Sequence, residues 1–575
     1  MVLRRENLAA PTGSQPITIE IDTPAALTWT SRGIVPHLTR DHVAQSTSAG
    51  WVHVPFESFL ERTPPVPTLQ HQQDPTDPKP LHTFLGLPPE THIMSLSLRD
   101  PNNARELPPN GDKSISAWCV RGVRKVSPSS FLQYAFACRP DVVVAPADTP
   151  YTAPPFSQRR IHKNVERSAA WLAEVLKSIS SSKASAEKIP ILLPLAGLTV
   201  PKARGAFSYL IREALTGREA VELIPLGFKC LDDGVWGYLM ELGPLRPSYL
   251  PLPIVAPTPL ADEIKPTSYE NEEEIVSGIV DLLQNSLKTL PVSKPRIAIT
   301  TQSPHEVLRL VSEVGIDLFD VSSWSSDCAR KGIGFDFTFP APKKAEESSS
   351  NTVVGTPTTR PDGKVDVGHN FFASTYAHDF GRIAANFLDG EMGKGEIHQV
   401  CPCIACSPKS TEVEDASFDP PHTRAYIHHL LQTHEMSAYA LLESHNAAVV
   451  ASFFAGIRRT LSTTAEGSSS KGEPNIDLFS KEVSNFISYY ALPYSLLDEA
   501  THDWDSVEKS RGKGSLKRAR DADAITEGKE SDLEASIALG GSQTLGELVD
   551  RVKLDAPAVL LLDPAPNVDV DTDVI

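Results

Sequence analysis

Residues 296–321 read RIAITTQSPHEVLRLVSEVGIDLFDV, a strand signal, a helix signal and a second strand signal joined by short turns. Ser303, followed by Pro304 and then by Glu306 three positions on, predicts a capping-box helix start, and Gly315 predicts its end. Both flanking runs are apolar throughout rather than alternating, the pattern of strands covered on both faces. A crossover helix between two such strands makes them parallel. The alternation recurs upstream. DVVVAPAD (141–148) precedes a helical pattern near 158–180, in which Ile161, Val165, Leu172, Val175, Leu176 and Ile179 recur at helical spacing. IPILLPL (189–195), a helical PKARGAFSYLIREALTG and a strand-like AVELIPLGF follow, and after a Pro-rich passage (244–266) comes a helix in NEEEIVSGIVDLLQNSLKTL. Repeated βα units leave two architectures, a closed eightfold barrel or an open doubly wound sheet. No Gly-rich nucleotide loop follows an early strand, so the expectation is the barrel.

A chain of 575 residues, 40% of them hydrophobic, can bury a full core. No run of about eighteen apolar residues suggests a membrane span, and the opening MVLRRENLAAPTGSQP lacks an apolar stretch of signal-peptide length. The expectation is an intracellular chain. A net charge of −18 argues against general affinity for nucleic acid. The strongest basic patch, QRRIHKNVER with Arg159, Arg160, His162, Lys163 and Arg167, is expected to be a solvated helix face. Residues 341–365 and 461–475 lack apolar periodicity and read as surface loops. From about 501 the chain passes a basic cluster (Lys509, Arg511, Lys513, Lys517, Arg518, Arg520) on its way to an acidic end.

Seven cysteines are present, and Cys119, Cys138, Cys230 and Cys328 are scattered singly, as reduced thiols are. The other three, Cys401, Cys403 and Cys406, form C-x-C-x2-C. This spacing lets one turn aim three sulfurs at a point, so a tetrahedral Zn2+ ion lacks one ligand. The following segment holds His422, His428, His429, His434 and His445. A single helix is predicted from Thr423 to about Leu461, with His445 on the apolar stripe of Ala438, Leu442, Val449 and Phe453. His434 lies on nearly the same face, roughly 16 Å away, so one or the other completes the site.

The C-x-C-x2-C run, followed by TRAYIHHLL, E-M, LLESHN and an IR at Arg458, resembles the zinc-binding end of the tRNA-guanine transglycosylases. RGIVPHLT, KSISAWCVRGVRKVSPSSFL, RRIHKNVERSAAWL and KPRIAITTQSPHEVLRLVSEVGIDLFD are similar, in order and spacing, to the accessory branch of the eukaryotic enzymes. The resemblance implies an α/β fold, a (β/α)8 TIM-type barrel with a zinc-binding subdomain near its C-terminal end. It implies His445 as the fourth ligand beside Cys401, Cys403 and Cys406, with one structural Zn2+ per subunit. The implied boundaries are 16–397 for the barrel with its insertions, including the loop 341–365, and 398–460 for a zinc subdomain completing it. A largely disordered tail that allows short helices spans 461–575.

Catalytic members of that family attack ribose with an Asp on a barrel strand, and Asp320 in GIDLFDVSSWSSDCARKG occupies the matching place. The surrounding motifs are missing: no P-T-R follows, no T-D-S-G-G-F-Q occurs, and IPLGFKCLDDG lacks the Gly-rich base-binding loop. Asp148, in APADTPY, resembles a base-recognition Asp. The implied role is therefore a non-catalytic subunit of a heterodimeric queuine tRNA-ribosyltransferase, with no catalytic residue of its own. It would pair with a catalytic subunit around Tyr426–Phe454 and reach tRNA through the complex. The alternative is an active transglycosylase with Asp320 as nucleophile. The resemblance also implies a cytoplasmic location, with peripheral association at the mitochondrial outer membrane.

Overall fold

The computed structural model describes residues 2–4, 18–45, 50–103, 105–152, 154–181, 189–247, 272–342, 355–384, 387–388, 397–398, 401–407, 420–463 and 476–511. Eight strands close into a parallel barrel: β1 (Ala25–Trp29), β2 (Trp51–Pro55), β3 (Ile93–Ser97), β4 (Val142–Val144), β5 (Ile191–Pro194), β6 (Gly237–Glu241), β7 (Arg296–Ile299) and β8 (Leu318–Asp320). Neighbours in the chain are neighbours in the barrel. It shuts where Leu318, Phe319 and Asp320 pair with Ala25, Ala26 and Leu27. Leu27, Trp29, Trp51, Ile93, Val142, Leu192, Leu239, Ile297 and Leu318 fill the inside, which is why these strands read as continuous apolar runs.

The unit that opened the sequence argument folds largely as read. Helix Pro304–Glu313 starts with the Ser303 side chain accepting from the Glu306 N–H, and Gly315 (φ 72°) returns the chain by donating to the Leu310 carbonyl. The capping box is only half made, because the Glu306 carboxylate accepts from the Gln302 N–H and, with both oxygens, from Arg246 Nη2. AVELIPLGF is a correction. Residues Gly217–Leu223 are helical and Ile224–Leu226 form a 3-10 turn with exposed Val221, Ile224 and Leu226; the strand of this unit is β6. Pro225 has no N–H to give a ladder, and a central strand needs one at every position.

All eight barrel strands lie between Ala25 and Asp320, and the described residues that follow, as far as Asp505, pack on the outside of the barrel. Strand Ile333–Phe335 pairs antiparallel with Gly368–Asn370. The single helix expected from Thr423 to Leu461 is two, Arg424–Gln432 and Met436–Ser462, separated by a turn in which His434 is left-handed (φ 61°). The longer helix is apolar enough for a membrane span by composition, but 61% of its apolar window is buried in this fold. Arg458, near its end, donates to the Pro24 carbonyl at 2.8 Å, which fastens the helix to the start of β1.

In the stretch expected to be largely disordered, two helices occupy Ile476–Tyr489 and Tyr494–Arg511. The first inserts Phe479 and Phe486 into an aromatic cluster with Phe337, Phe339 and Phe453. Residues 343–354 of the expected 341–365 loop, and the basic cluster from Lys513 onward, lie outside the described residues.

Two helical glycines test the packing. A Cβ on Gly456 would collide with the Phe339 carbonyl oxygen, whereas a Cβ on Gly278 meets nothing within 4 Å. Gly456→Ala should lower stability by about 1–3 kcal/mol, since a backbone atom must move. Gly278→Ala should raise it by about 1 kcal/mol, since only helix propensity changes. Chemical denaturation of the two variants checks the opposite signs.

Candidate metal centre and barrel mouth

Residues 401–407 form a tight turn in which the Cys406 and Ser407 N–H groups both donate to the Cys403 carbonyl, at 3.1 and 2.9 Å, and Ser407 Oγ donates to the Cys401 carbonyl. This turn faces the three sulfurs inward, and all three cysteines are buried. Opposite them, His445 on helix Met436–Ser462 is completely buried. Its Nε2 lies 2.8 Å from the Phe335 carbonyl, which can only accept, so Nε2 carries the proton and Nδ1 presents a lone pair. Nδ1 lies 3.3 Å from Cys406 Sγ and 3.6 Å from Cys403 Sγ. The four ligand atoms all lie within 4.8 Å of one another.

Asn446 clamps the same strand: its Oδ1 accepts from Phe335 N–H and its Nδ2 donates to the Ile333 carbonyl. Burial pushes the Cys403 thiol up, but hydrogen bonds from the Cys401 and Cys406 thiols outweigh it and hold the thiol well below its ordinary value. Three convergent sulfurs, one prepared for deprotonation, and one imidazole with a fixed tautomer fit a tetrahedral cation. Of the other histidines, His422 Nδ1 is directed to the Ala405 carbonyl and His428 Nδ1 to that of Phe371, while His434 sits on the inter-helix turn.

At the barrel mouth, Asp320 is fully buried and both carboxylate oxygens are engaged. Asn102 Nδ2 donates to Oδ2 at 2.7 Å; the Ser322 N–H and Oγ donate to Oδ1 at 2.9 and 2.5 Å. Burial raises the Asp320 pKa. Asp148 is similarly occupied. Arg160 grips both of its oxygens at 2.7 and 3.0 Å, and Asn110 donates to Oδ1. The basic helix face is therefore split, since Arg160 and Arg167 turn in toward Asp148 while Arg159 and His162 stay exposed.

The barrel mouth is filled by the chain itself. Trp29 stacks on His53 with ring centroids 4.1 Å apart; His53 is held by Ser95 and Ser97, and burial pushes its pKa down to about 3, so it is neutral. Arg99 lies 3.5 Å over the Tyr151 ring and donates to the Thr149 carbonyl. What remains is a cavity of about 30 Å³, room for roughly two waters and far too little for a purine-like base. The residues that close the mouth, Trp29, His53, Arg99 and Tyr151, carry no motif or spacing that distinguishes them in the sequence.

Residues 268–465 match the family model for queuine tRNA-ribosyltransferase, a window that holds β7, β8 and the whole Cys3His cluster. Three relatives are each named queuine tRNA-ribosyltransferase accessory subunit 2. That of Schizosaccharomyces pombe is 22% identical over 467 residues, 79% of each chain. Those of Homo sapiens and Xenopus laevis are each 25% identical, covering 77% of this chain and 89% of their own. The chain is similar to these accessory subunits along most of its length. The aligned stretch is longer than the family-model window, so the similarity to queuine tRNA-ribosyltransferase accessory subunits extends beyond it.

Cys403→Ala should abolish metal retention and destabilise the segment around Ile333–Phe335, because binding at such sites contributes on the order of 10 kcal/mol to the local fold. His434→Ala should retain the metal, and elemental analysis of both purified variants distinguishes them. A second expectation concerns Glu57, whose oxygens accept from the Asp100 and Trp118 N–H groups. Burial raises its pKa to about 7, so the folded chain holds a proton there that the unfolded chain has released. Its contribution to stability is complete below the unfolded value and is lost as pH rises through about 7. Denaturation curves from roughly pH 5 to 8 should therefore be less pH-dependent in Glu57→Gln than in the parent.

Proposed function

We propose that this chain is the non-catalytic subunit of a heterodimeric queuine tRNA-ribosyltransferase, supporting a catalytic partner in exchanging guanine for queuine at the tRNA wobble position. The observation that carries the reading is the closed mouth. A nucleophilic carboxylate needs an open oxygen and a pocket for the departing base, whereas Asp320 has both oxygens engaged and the cavity at the mouth, about 30 Å³, is not lined by it. The names of the relatives support the accessory role. The Cys401, Cys403, Cys406 and His445 set fits Zn2+ best among common cations, since three thiolates and an imidazole are its preferred structural shell. When bound, zinc supplies a four-way cross-link and no chemistry at the mouth.

The pairing surface in this reading is the start of the zinc-side helices. Tyr426 and Met436 are exposed there, and Ile34 is exposed on the loop whose His37 packs against Tyr439. These apolar groups suit a permanent partner better than water. The cytoplasm, with peripheral contact at the mitochondrial outer membrane, is the location that goes with this role.

Co-expression with a catalytic transglycosylase subunit should yield a stable complex on gel filtration; a chain that stays monomeric at micromolar concentration refutes the reading. Within the complex, Asp320→Asn should leave the rate of guanine-for-queuine exchange close to that of the parent. The isolated chain should form no covalent RNA adduct on a denaturing gel. An adduct that disappears in Asp320→Asn would instead establish an active transglycosylase.

A further inference from the structure

The loop after β3 carries an antiparallel hairpin, Ile115–Cys119 with Gly122–Val126, at the mouth end of the barrel. Its root is built into the mouth. Ile115 lines the mouth cavity, Glu57 accepts from the Trp118 N–H, and Asn110 joins the Ser116 N–H to Asp148. Its outer part is basic in a chain that is otherwise strongly acidic. Residues 105–125 hold Arg105, Lys113, Arg121, Arg124 and Lys125 against only Glu106 and Asp112. Asp112 is already neutralised by Arg167 at 2.7 Å. Arg121, Arg124 and Lys125 are exposed, and none of the three forms an ion pair among the described residues.

Arg105 shows a further degree of preparation. Its guanidinium lies 4.1 Å over the Trp118 ring, with the Nε shielded from solvent and without a hydrogen-bond partner among the described residues. Stacking fixes the plane of the guanidinium without using its donors, so the ordering entropy of an anion contact is partly met before binding. A stacked arginine flanked by three uncompensated cations matches the spaced negative charges of a nucleic-acid backbone.

We propose that this hairpin is a direct RNA contact, holding backbone phosphates of the tRNA beside a mouth that cannot itself admit a base. The inference rests on the tRNA-modifying role proposed above and adds to it a physical contribution by this subunit. Arg121, Arg124 and Lys125 supply charge; Arg105, positioned by Trp118, supplies directed hydrogen bonding. The filled pocket and the basic rim then have complementary parts, one excluding chemistry and the other retaining substrate.

The test uses the complex with the catalytic subunit and fluorescently labelled tRNA, with affinity followed by anisotropy across a salt series. Replacing Arg121, Arg124 and Lys125 together by Gln should weaken binding by roughly tenfold or more near physiological salt. It should also reduce the slope of log affinity against log salt by about 2, three phosphate contacts at about 0.7 each. Arg105→Lys, which keeps the charge and loses the stacked fork, should bind less tightly than the parent with a nearly unchanged slope. Lys229→Gln, before β6 and away from the mouth, should change neither. Unaltered affinity and slope in a triple variant that still forms the complex would overturn the proposal. So would a triple variant that loses the catalytic subunit, because the hairpin would then be a protein contact. If the parent chain itself does not pair, the functional reading fails separately; the same series on the isolated chain then decides, with lost affinity and slope upholding the RNA contact and no change overturning it.

Discussion

Leu318, Phe319 and Asp320 lie in parallel register with Ala25, Ala26 and Leu27, and on that closing pair everything else in the molecule depends. An open sheet would leave the edges of β1 and β8 unpaired; closure satisfies both ladders and creates an interior that only apolar side chains can fill. The register also has a chemical result. It brings Asp320 level with Leu27 at the carboxyl end of the barrel, where parallel barrels assemble their sites. The position of a nucleophile is thus a by-product of closure, available whether or not the chain uses it.

Its neighbours decide whether it is used. At this mouth the potential reactive groups have been paired internally: Asp320 with Asn102 and Ser322, Asp148 with Arg160 and Asn110, His53 with two serines. Such pairing removes the desolvation penalty that an empty polar pocket would bear, because each buried oxygen or ring nitrogen has its donor or acceptor within the chain. A site that had to open for a base would keep some of these groups exposed to water until substrate arrived. The packed mouth and the lack of catalytic motifs are therefore two expressions of the same loss.

Outside the barrel the Cys3His cluster plays the corresponding closing role. It joins a short turn, the strand Ile333–Phe335 and a helix of 27 residues. The helix continues to Arg458 and its contact with Pro24, just before β1. One line of interactions thus runs from the Cys3His cluster to the strand that closes the barrel, although the cluster stands apart from the mouth.

How much of this was legible in the residues varied with the range of the interaction that decided it. Strand and helix alternation, the capped start at Ser303, the left-handed stop at Gly315 and the three-sulfur turn were all set by local preference and short spacing, so the sequence by itself determined parallel βα units and a turn that gathers three sulfurs. AVELIPLGF misled because an apolar run is strand-like until Pro225 must donate to a ladder. Periodicity left His434 and His445 equivalent, and family resemblance was needed to prefer one. Only the tertiary structure showed the physical reason: the helix breaks at His434, while a carbonyl from a strand distant in sequence orients the His445 ring. It alone also decided that the mouth is full. Trp29, His53, Arg99 and Tyr151 come from different loops and strands, and no local pattern records that four separate side chains will meet in one space.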